Sequence, residues 1–323
     1  MKFGILSGVL WALDTTILSI ALLMSPFGNS TAAALTFAAI ASSALHDILC
    51  VIWLTLYMAV KGRLKDTLSA IHTRSGAVVA IGALLGGPIG MSGYVMAIDM
   101  LGPAYTAAIS AFYPAFGTAL AAVILKEKVT LPRMIALAAA VLGVVGMGAG
   151  AMSLEGASNP TLGIICALVC VAGWGSEAVF CAWGMRDDAV DNETALHIRE
   201  MVSGFTYAAI VLPIFGAWNF TAEAIPTLGS GIIALAALAG AASYLFYYKA
   251  IDVIGAAKGM ALNISYSAGA VMFGVLMLKS IPSPWVIACC IVILLGTIFA
   301  ACDWSELFAK NLPAGTSEIQ SNK

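Results

Sequence analysis

The sequence contains few charged residues. Only 10% of its 323 residues are Asp, Glu, Lys or Arg, whereas 61% are hydrophobic and the mean hydropathy is +0.98. Soluble globular proteins contain about 25% charged residues, so this composition excludes a soluble fold. The net charge of −2 also excludes a nucleic-acid-binding protein, because phosphate contacts need a clustered basic surface.

Motifs of metal, redox and nucleotide chemistry are absent from the sequence. The seven cysteines lie within apolar runs at spacings of neither a zinc site nor a redox pair, and we interpret them as small buried hydrophobic residues. The sequence has no Walker A pattern and no His/Asp cluster with metal or nucleophile spacing. Long loops for a soluble catalytic part are absent as well. We therefore predict no cofactor, no metal and no enzyme activity, and a membrane-embedded enzyme is the weaker alternative.

Apolar runs fill most of the chain. A helix needs about 20 apolar residues to cross the hydrocarbon core of a membrane, and Pro, Gly and charged residues divide the sequence into runs of that size. The first run is longer than the apolar part of a secretion signal and carries an acid, so we expect it to be retained. The sequence predicts an all-α integral membrane protein with ten transmembrane helices, at 3–24, 33–60, 76–98, 103–125, 133–152, 162–184, 194–216, 228–250, 255–278 and 284–302.

The distribution of lysine and arginine predicts the orientation. Cytoplasmic loops of membrane proteins carry an excess of these residues. If the amino terminus is cytoplasmic, the outside loops contain only Lys279, and the inside segments contain Lys2, Lys61, Arg63, Lys65, Arg74, Lys126, Lys128, Arg133, Arg186, Lys310 and Lys323. We therefore expect a multi-pass protein of the plasma or inner membrane with both termini in the cytoplasm.

One segment of the chain occurs twice. Residues 94–145 align without a gap with residues 247–298, at a shift of 153, and 13 of the 52 pairs are identical. The most specific pairs are Tyr94/Tyr247, Asp99/Asp252, Gly102/Gly255, Tyr113/Tyr266, Lys126/Lys279 and Gly143/Gly296. Five helices per half is an odd number, so the two halves enter the membrane from opposite sides. The predicted domains are two inverted five-helix repeats, 1–152 and 153–302, and a cytoplasmic tail, 303–323. Inverted repeats are typical of carriers that open a central site alternately to either side.

Acidic residues lie at matching points of the first and sixth helices. A charge at the middle of a membrane helix costs about 2.5–3.5 kcal/mol on insertion scales, so it usually faces the protein interior. Trp11 and Asp14 in the first helix correspond to Trp174 and Glu177 in the sixth. A separation of three residues places the ring and the carboxylate on one helical face. We expect both faces to line the interface between the halves.

The second and seventh helices carry another pair of charged positions, at the shift of 153 residues found for the duplicated segment. His46 and Asp47 in the second helix correspond to Arg199 and Glu200 in the seventh. The acids exceed what internal neutralisation requires. They can take up and release a proton, because a carboxyl group in a low dielectric holds a proton more readily than one in water, or they can bind the ammonium group of a substrate. A structural role, as a cap or as a partner of a neighbouring helix, is the alternative.

Aromatic and small polar residues complete the predicted site. Aromatic faces bind cationic groups, and amide or hydroxyl groups fix the orientation of a ligand. Tyr247 and Ser110 are further candidates for the cavity wall. We predict a site for substrate or protons formed by Trp11, Asp14, His46, Asp47, Tyr94, Tyr113, Trp174, Glu177, Arg199, Glu200, Asn263 and Tyr266.

Short motifs in both halves match a known pattern. Residues 112–114 read Phe-Tyr-Pro, residues 125–128 read Leu-Lys-Glu-Lys, and residues 174–176 read Trp-Gly-Ser. With the duplicated five-helix unit, they resemble the drug/metabolite transporter superfamily, specifically its ten-helix EamA-type carriers, from Gly4 to Ala301. The resemblance implies a substrate cavity between the halves, peripheral fifth and tenth helices available for dimer contacts, and metabolites as substrates.

Two features depart from the family's usual pattern. Acids are prominent in the first two helices, at Asp14 and Asp47, and Lys279-Ser280 stands where a Lys-Glu pair would be repeated. The first departure favours a cationic or zwitterionic substrate. We predict a secondary carrier that works by alternating access and couples transport to protonation of Asp14, Asp47, Glu177 or Glu200. Its expected partners are a small-molecule substrate, the lipid bilayer and, in a homodimer, a second copy. A membrane-embedded sensor or assembly subunit without transport activity is the alternative.

Overall fold

The chain is helical in the parts that a computed structural model describes, which are residues 1–28, 32–101, 103–149, 159–186, 190–279 and 281–302. The first half contains α1 (Lys2–Leu22), α2 (Ala32–Val60), α3 (Leu64–Ala70), α4 (Arg74–Leu84), α5 (Ser92–Leu101), α6 (Pro103–Ser110), α7 (Tyr113–Ile124) and α8 (Leu131–Gly148). The second half contains α9 (Pro160–Gly184), α10 (Asn192–Thr206), α11 (Leu212–Ile214), α12 (Trp218–Ala224), α13 (Leu228–Ile254), α14 (Ala256–Asn263), α15 (Tyr266–Leu278) and α16 (Pro284–Ala301).

Within these described residues, nine helical segments are long and apolar enough to cross a membrane. They are Lys2–Leu22, Phe37–Val60, Arg74–Ile98, Tyr105–Ile124, Leu131–Gly148, Pro160–Gly184, Leu228–Ile254, Ala256–Leu278 and Pro284–Ala301. The predicted span at 194–216 falls on α10, α11 and the π-helical segment between them, where polar residues such as His197, Arg199 and Glu200 lower the hydropathy. The all-helical membrane fold is confirmed, and the count of ten stays a prediction. The predicted domain boundary at 152/153 and the tail 303–323 lie outside the described residues.

Helices of the two halves pack against each other in equivalent pairs. α1 packs along α13, and α9 packs along α4 and α5. α2 contacts α10 in the centre of the bundle, and α8 packs along α16. The aligned glycines Gly143 and Gly296 lie in the α8–α16 contact, where an added Cβ would collide with Ile293 and with the backbone of Ala136, respectively. The small residues therefore allow close approach of these two helices, as is common between membrane helices.

Two π-helical segments change the register of the repeat. They are Tyr207–Val211, between α10 and α11, and Leu85–Met91, between α4 and α5. A π turn accommodates one extra residue in a helix. The shift between the halves is 153 at His46 and Arg199, before the first of these points in the repeat. It is 154 at α3 and α12, which begin at Leu64 and Trp218, and 153 again from Tyr94 onward. One inserted residue in each half explains the change and its reversal.

The aligned lysines Lys126 and Lys279 end α7 and α15 in the same backbone conformation. Their φ angles of 57° and 53° are both left-handed, as is common at helix ends. Glu127, the next residue in the first half, accepts hydrogen bonds from the backbone N–H groups of Ala256 at 2.8 Å and Ala257 at 3.1 Å. The acid of the Leu-Lys-Glu-Lys motif therefore caps the N-terminus of α14 in the other half. The matching residue 280 lies outside the described part of the chain.

Candidate functional site

A pocket lies where the two halves meet, and most of its wall is aromatic. Six of its ten lining residues are Trp or Tyr. The wall is formed by Trp11, Tyr113, Trp174, Glu177, Ala178, Ser243, Tyr244, Tyr247, Asn263 and Tyr266. Six of these belong to the twelve residues predicted from the sequence as a binding site, and their role in binding stays a prediction.

The two tryptophans of the pocket make equivalent contacts across the halves. Trp11 meets Tyr266 edge to face, with ring centroids 6.4 Å apart and an interplanar angle of 77°. Trp174 meets Tyr113 in the same way, at 5.8 Å and 89°. Trp11 and Tyr113 belong to the first half, and their partners belong to the second. The duplication therefore builds one aromatic wall from both halves.

Further aromatic residues support this wall. Trp11 also contacts Tyr244, with centroids 5.0 Å apart and an angle of 80°. Tyr94 packs on Trp174 at 5.2 Å but does not line the pocket, so it positions the indole from behind. Tyr244 was not among the predicted residues, because it precedes the aligned segment and neither Gly90 nor Met91, at shifts of 154 and 153, is aromatic.

A short hydrogen-bond chain holds the polar side of the pocket. The Tyr113 hydroxyl donates to Asn263 Oδ1 at 3.1 Å, and Asn263 Nδ2 donates to Ser7 Oγ at 3.0 Å. Ser243 Oγ lies 3.3 Å from Ser7 Oγ and donates to the Ser7 backbone carbonyl at 2.9 Å. The Asn263 amide is therefore fixed in one orientation, and these partners occupy one acceptor site of its oxygen and one of its two N–H donors.

Glu177 places a carboxylate in the pocket wall. Its Oε1 accepts hydrogen bonds from Arg199 Nε at 2.8 Å and from the Tyr248 hydroxyl at 3.4 Å. The side chain is 9% exposed. Gly86 in the first π-helical segment makes room for it, because a Cβ at that position would overlap the carboxylate. Glu177 is thus held between the pocket on one side and Arg199 on the other.

Arg199 connects the pocket to the charged interior of the bundle. Its Nη1 donates to Glu200 Oε1 at 2.7 Å and lies 3.8 Å from Asp47 Oδ2. Its Nη2 donates to the Tyr244 hydroxyl at 3.2 Å. Glu200 is fully buried, and its Oε2 has no hydrogen-bond partner among the described residues. The guanidinium therefore serves several carboxylates at once.

The first half holds a second buried group of charges. His46 Nε2 lies 3.0 Å from Asp14 Oδ1, and His46 Nδ1 lies 3.6 Å from Asp47 Oδ1. Ser203 of α10 donates a short hydrogen bond to Asp47 Oδ2. The structure thus brings the charged residues predicted in the first, second, sixth and seventh helices together at the interface of the halves. Among the described residues, no group of three or more His, Cys, Asp or Glu side chains is arranged to hold a metal ion.

Ion pairs also join the halves at one end of the bundle, where α2 ends and α10 begins. Glu193 accepts hydrogen bonds from Lys61 Nζ at 2.7 Å and from Arg63 Nη1 at 2.6 Å. Arg63 Nη2 donates to Asp191 Oδ2 at 2.7 Å. Asp191 also caps α10, because its Oδ1 accepts from the Thr194 N–H at 2.9 Å. We call these ion pairs, formed by Lys61, Arg63, Asp191 and Glu193, the end cluster.

The end cluster stabilises the ionised form of Asp191. Burial by itself would raise the pKa of this carboxyl group, but hydrogen bonds from the backbone and side chain of Thr194 and from Arg63 outweigh burial. The pKa of Asp191 therefore lies below its ordinary value. A hydrogen bond to Glu193 raises the pKa of Lys61 above its ordinary value in the same way.

Comparison with known proteins supports the same family as the motifs. The sequence model of the EamA-like transporter family matches residues 1–149 and 161–302. Protein LicB of Haemophilus influenzae is 33% identical over 203 residues, which are 62% of this chain and 66% of that relative, just under two thirds of its length. A solved crystal structure superposes with a TM-score of 0.69 at 16% identity, over 96% of this chain and 98% of that one, which shows the fold alone. Because the family model covers both repeats, the chain belongs to the EamA-like transporter family.

Proposed function

We propose that this protein is a secondary carrier that moves a small organic cation across the cell membrane by alternating access and couples this movement to a proton. The observation that carries the proposal is the aromatic pocket with Glu177 in its wall, placed between two inverted halves. A site between such halves can open to either side when they change their packing. Both termini are then cytoplasmic, and the protein acts as a monomer or homodimer.

The charges around the pocket favour a cation. Asp14, Asp47, Glu177 and Glu200 lie close together, and their cationic partners are Arg199 and the titratable His46. A buried excess of negative charge is costly in a membrane. A substrate cation at Glu177 would reduce this excess, whereas an anion would increase it.

The pocket wall favours an alkylated ammonium group. Aromatic faces attract cations through their negative electrostatic potential, most strongly when the cation is desolvated. A primary ammonium brings three N–H donors that need acceptors. Asn263 Oδ1 already accepts from Tyr113, and Glu177 Oε1 is shared by Arg199 and Tyr248, so the acceptors left at these two residues are one lone pair of Asn263 Oδ1 and Glu177 Oε2. A methylated ammonium has no such donors. The pocket therefore suits a methylated cation better than a primary amine.

Binding of tetramethylammonium to the purified protein tests the proposal. We expect it to raise the melting temperature and to bind more tightly than methylammonium in titration calorimetry, and trimethylglycine shows whether a zwitterion is accepted. Glu177→Gln should weaken binding of tetramethylammonium at least about tenfold, through loss of a partner worth about 1.4 kcal/mol or more. Glu223→Gln, at an exposed acid on α12, is the matched control and should bind like the wild type.

Transport in proteoliposomes provides the second test. A pH difference across the membrane should drive accumulation of radiolabelled tetramethylammonium, and an ionophore that removes the difference should abolish this accumulation. The proposal of a cation carrier is wrong if none of the three compounds binds or if Glu177→Gln binds them like the wild type. Transport that is insensitive to the pH difference would remove the proton from the proposal.

A further inference from the structure

Each half of the protein contains the same arrangement of three ionisable side chains. A cationic residue contacts an acid on the preceding helix and the acid that follows it in sequence. The distances from the cation to the preceding helix are 3.0 Å for His46 to Asp14 and 2.8 Å for Arg199 to Glu177. We call Asp14, His46 and Asp47 the first triad, and Glu177, Arg199 and Glu200 the second triad.

The two triads differ in their central residue. The guanidinium of Arg199 keeps its charge at every physiological pH. Histidine, with an ordinary pKa of about 6.5, is the side chain that changes charge near neutrality. Only the first triad therefore has a central residue that can gain or lose a proton under physiological conditions.

The triads also differ in their relation to the pocket. Glu177 of the second triad lines it, whereas no member of the first triad does. Asp14 and His46 lie instead against Gly240 of α13, where an added Cβ would be 3.1 Å from Asp14 Oδ2 and 3.0 Å from His46 Nε2. The first triad is thus a separate site behind the pocket wall.

The geometry of the first triad fits a bound proton. Both ring nitrogens of His46 face carboxylate oxygens, Asp14 at 3.0 Å and Asp47 at 3.6 Å. An imidazolium directs an N–H at each of them, whereas a neutral ring directs a lone pair at one carboxylate. Loss of the proton therefore creates repulsion that the present arrangement of carboxylates does not relieve.

The surroundings of His46 contain few other titratable groups. Asp14 faces the ring from α1, Asp47 and Cys50 lie on α2 itself, and Arg199 and Glu200 approach from α10. Helix α13 presents Gly240 and the carbonyl of Ala237, to which the Cys50 thiol donates, and neither residue is ionisable. The side chains of His46 and Asp47 are 9% and 12% exposed, whereas Glu200 is fully buried. The first triad is therefore less completely enclosed by the protein than Glu200.

Arg199 of the second triad also approaches the first. Its Nε donates to Glu177 at 2.8 Å, and its Nη1 is 3.8 Å from Asp47. A cation that binds to Glu177 competes with the guanidinium for this carboxylate. The guanidinium then interacts more strongly with Asp47 and competes there with the imidazolium of His46, which disfavours the bound proton. When a proton binds to the first triad, the imidazolium of His46 interacts with Asp47, and the guanidinium interacts more strongly with Glu177, where it competes with the substrate cation. The two ligands then weaken each other's binding by the same factor, as linkage requires.

We propose that the coupling proton binds to the first triad, Asp14–His46–Asp47, at a site separate from the substrate, and that Arg199 carries the interaction between the two sites. This inference rests on the proposed transport of a cation. It assigns proton binding to the first triad and substrate binding to the second triad, through Glu177.

The dissociation constant of tetramethylammonium between pH 5.5 and 8 tests this assignment. In the wild type it should fall as the pH rises, by up to about tenfold per pH unit, the limit for one linked proton. His46→Gln should still bind tetramethylammonium, with a dissociation constant that changes less than about twofold over the range. His72→Gln, at an exposed histidine, is the matched control, and Glu200→Gln tests the competing site. His72→Gln should match the wild type at every pH. Glu200→Gln removes a partner of Arg199 and should change the affinity, but its dissociation constant should still fall as the pH rises.

Asp14→Asn serves as a second variant if His46→Gln does not fold, and it should flatten the pH dependence in the same way. Wild-type pH dependence in His46→Gln, or its loss in Glu200→Gln alone, would overturn the assignment. These results differ from a failure of the proposed function, in which the wild type binds no cation at any pH. In that case the melting temperature of the ligand-free protein is measured between pH 5.5 and 8. A change of melting temperature with pH that is lost in His46→Gln and kept in His72→Gln supports the proton site. The same change in His46→Gln overturns the proton site.

Discussion

The guanidinium carbon of Arg199 lies 4.7 Å from the ring centroid of Tyr244, so a cation of the protein itself occupies one face of an aromatic residue of the pocket. The same ring contacts Trp11 edge to face. Tyr244 therefore connects the aromatic wall, where we expect the substrate, to the residue that joins the two triads.

Removal of the Tyr244 ring should weaken cation binding. Tyr244→Leu is expected to cost about 1–2 kcal/mol of binding free energy for tetramethylammonium, which corresponds to about a 5–30-fold rise in the dissociation constant. Tyr244→Phe keeps the ring and should lie within about threefold of the wild type. Titration calorimetry measures both, and equal affinities for the Leu and Phe variants would contradict a role of the ring.

The space that Gly86 leaves for Glu177 should be necessary for binding. A Cβ at this position would overlap the carboxylate, so Gly86→Ala is expected to displace Glu177 and to weaken tetramethylammonium binding at least about fivefold, a cost of about 1 kcal/mol. Gly231→Ala on α13 is the control, because nothing lies within 4 Å of its added Cβ. That variant should be neutral or slightly stabilising. Unchanged binding in Gly86→Ala would show that Glu177 does not depend on this position.

Glu127 should stabilise the contact between the halves without affecting the pocket. Glu127→Gln retains one acceptor oxygen and loses the charge that favours a helix N-terminus, so it should lower stability by about 0.5–2 kcal/mol, as loss of an N-cap does. Thermal unfolding in detergent measures this change, with Glu223→Gln as the control. The affinity for tetramethylammonium should be unchanged within twofold. A variant as stable as the control would show that the two hydrogen bonds add nothing measurable.

Acid should weaken the end cluster through Asp191. Because its folded-state pKa lies below the unfolded value, which is about 3.9, the stabilisation by ionised Asp191 is complete above that value and is lost as the pH falls through the folded pKa. We expect a contribution of less than about 1 kcal/mol, because Asp191 is close to half exposed and solvent screens its charge.

Two variants separate the charge of Asp191 from its cap. Asp191→Asn keeps a good N-cap and removes the charge, so its difference in melting temperature from the wild type should shrink between pH 6 and pH 3. Asp191→Ala loses the cap as well and should remain less stable than the wild type at every pH in this range. A constant difference between the wild type and Asp191→Asn would exclude a contribution from ionisation.

The sequence predicted the helical membrane fold, the duplication and the meeting of the charged residues, because each depends on composition or on a repeated pattern. Hydropathy did not reveal the seventh segment as clearly, since α10 carries the charges that the interior needs. The pairing of Asp14 with His46 and of Glu177 with Arg199 was not predicted, because repeat-related positions do not show which side chains touch. Tyr244 could not be found from the duplication, because the other half has no aromatic residue at the matching position.

The division of the aromatic residues between wall and support was also beyond the sequence. Tyr94 and Tyr113 belong to the same kind of repeat pair, yet Tyr113 lines the pocket and Tyr94 packs behind Trp174. Which side chain faces the pocket depends on the rotation of each helix about its axis. The sequence of a short helix that is apolar on all sides does not define this rotation. The capping role of Glu127 likewise depends on where α7 ends relative to α14.

The two π-helical segments make the helices that follow them sensitive to single-residue deletions. One residue of an α-helix corresponds to about 100° of rotation and 1.5 Å of rise. Removal of one residue from Tyr207–Val211 would therefore turn α11 and α12 by about a quarter of a circle relative to α10, and Trp218, which donates to the Ala208 carbonyl at 2.9 Å, would lose its acceptor. Chimeras that exchange helices between the two halves must consequently carry each π turn with its own helix.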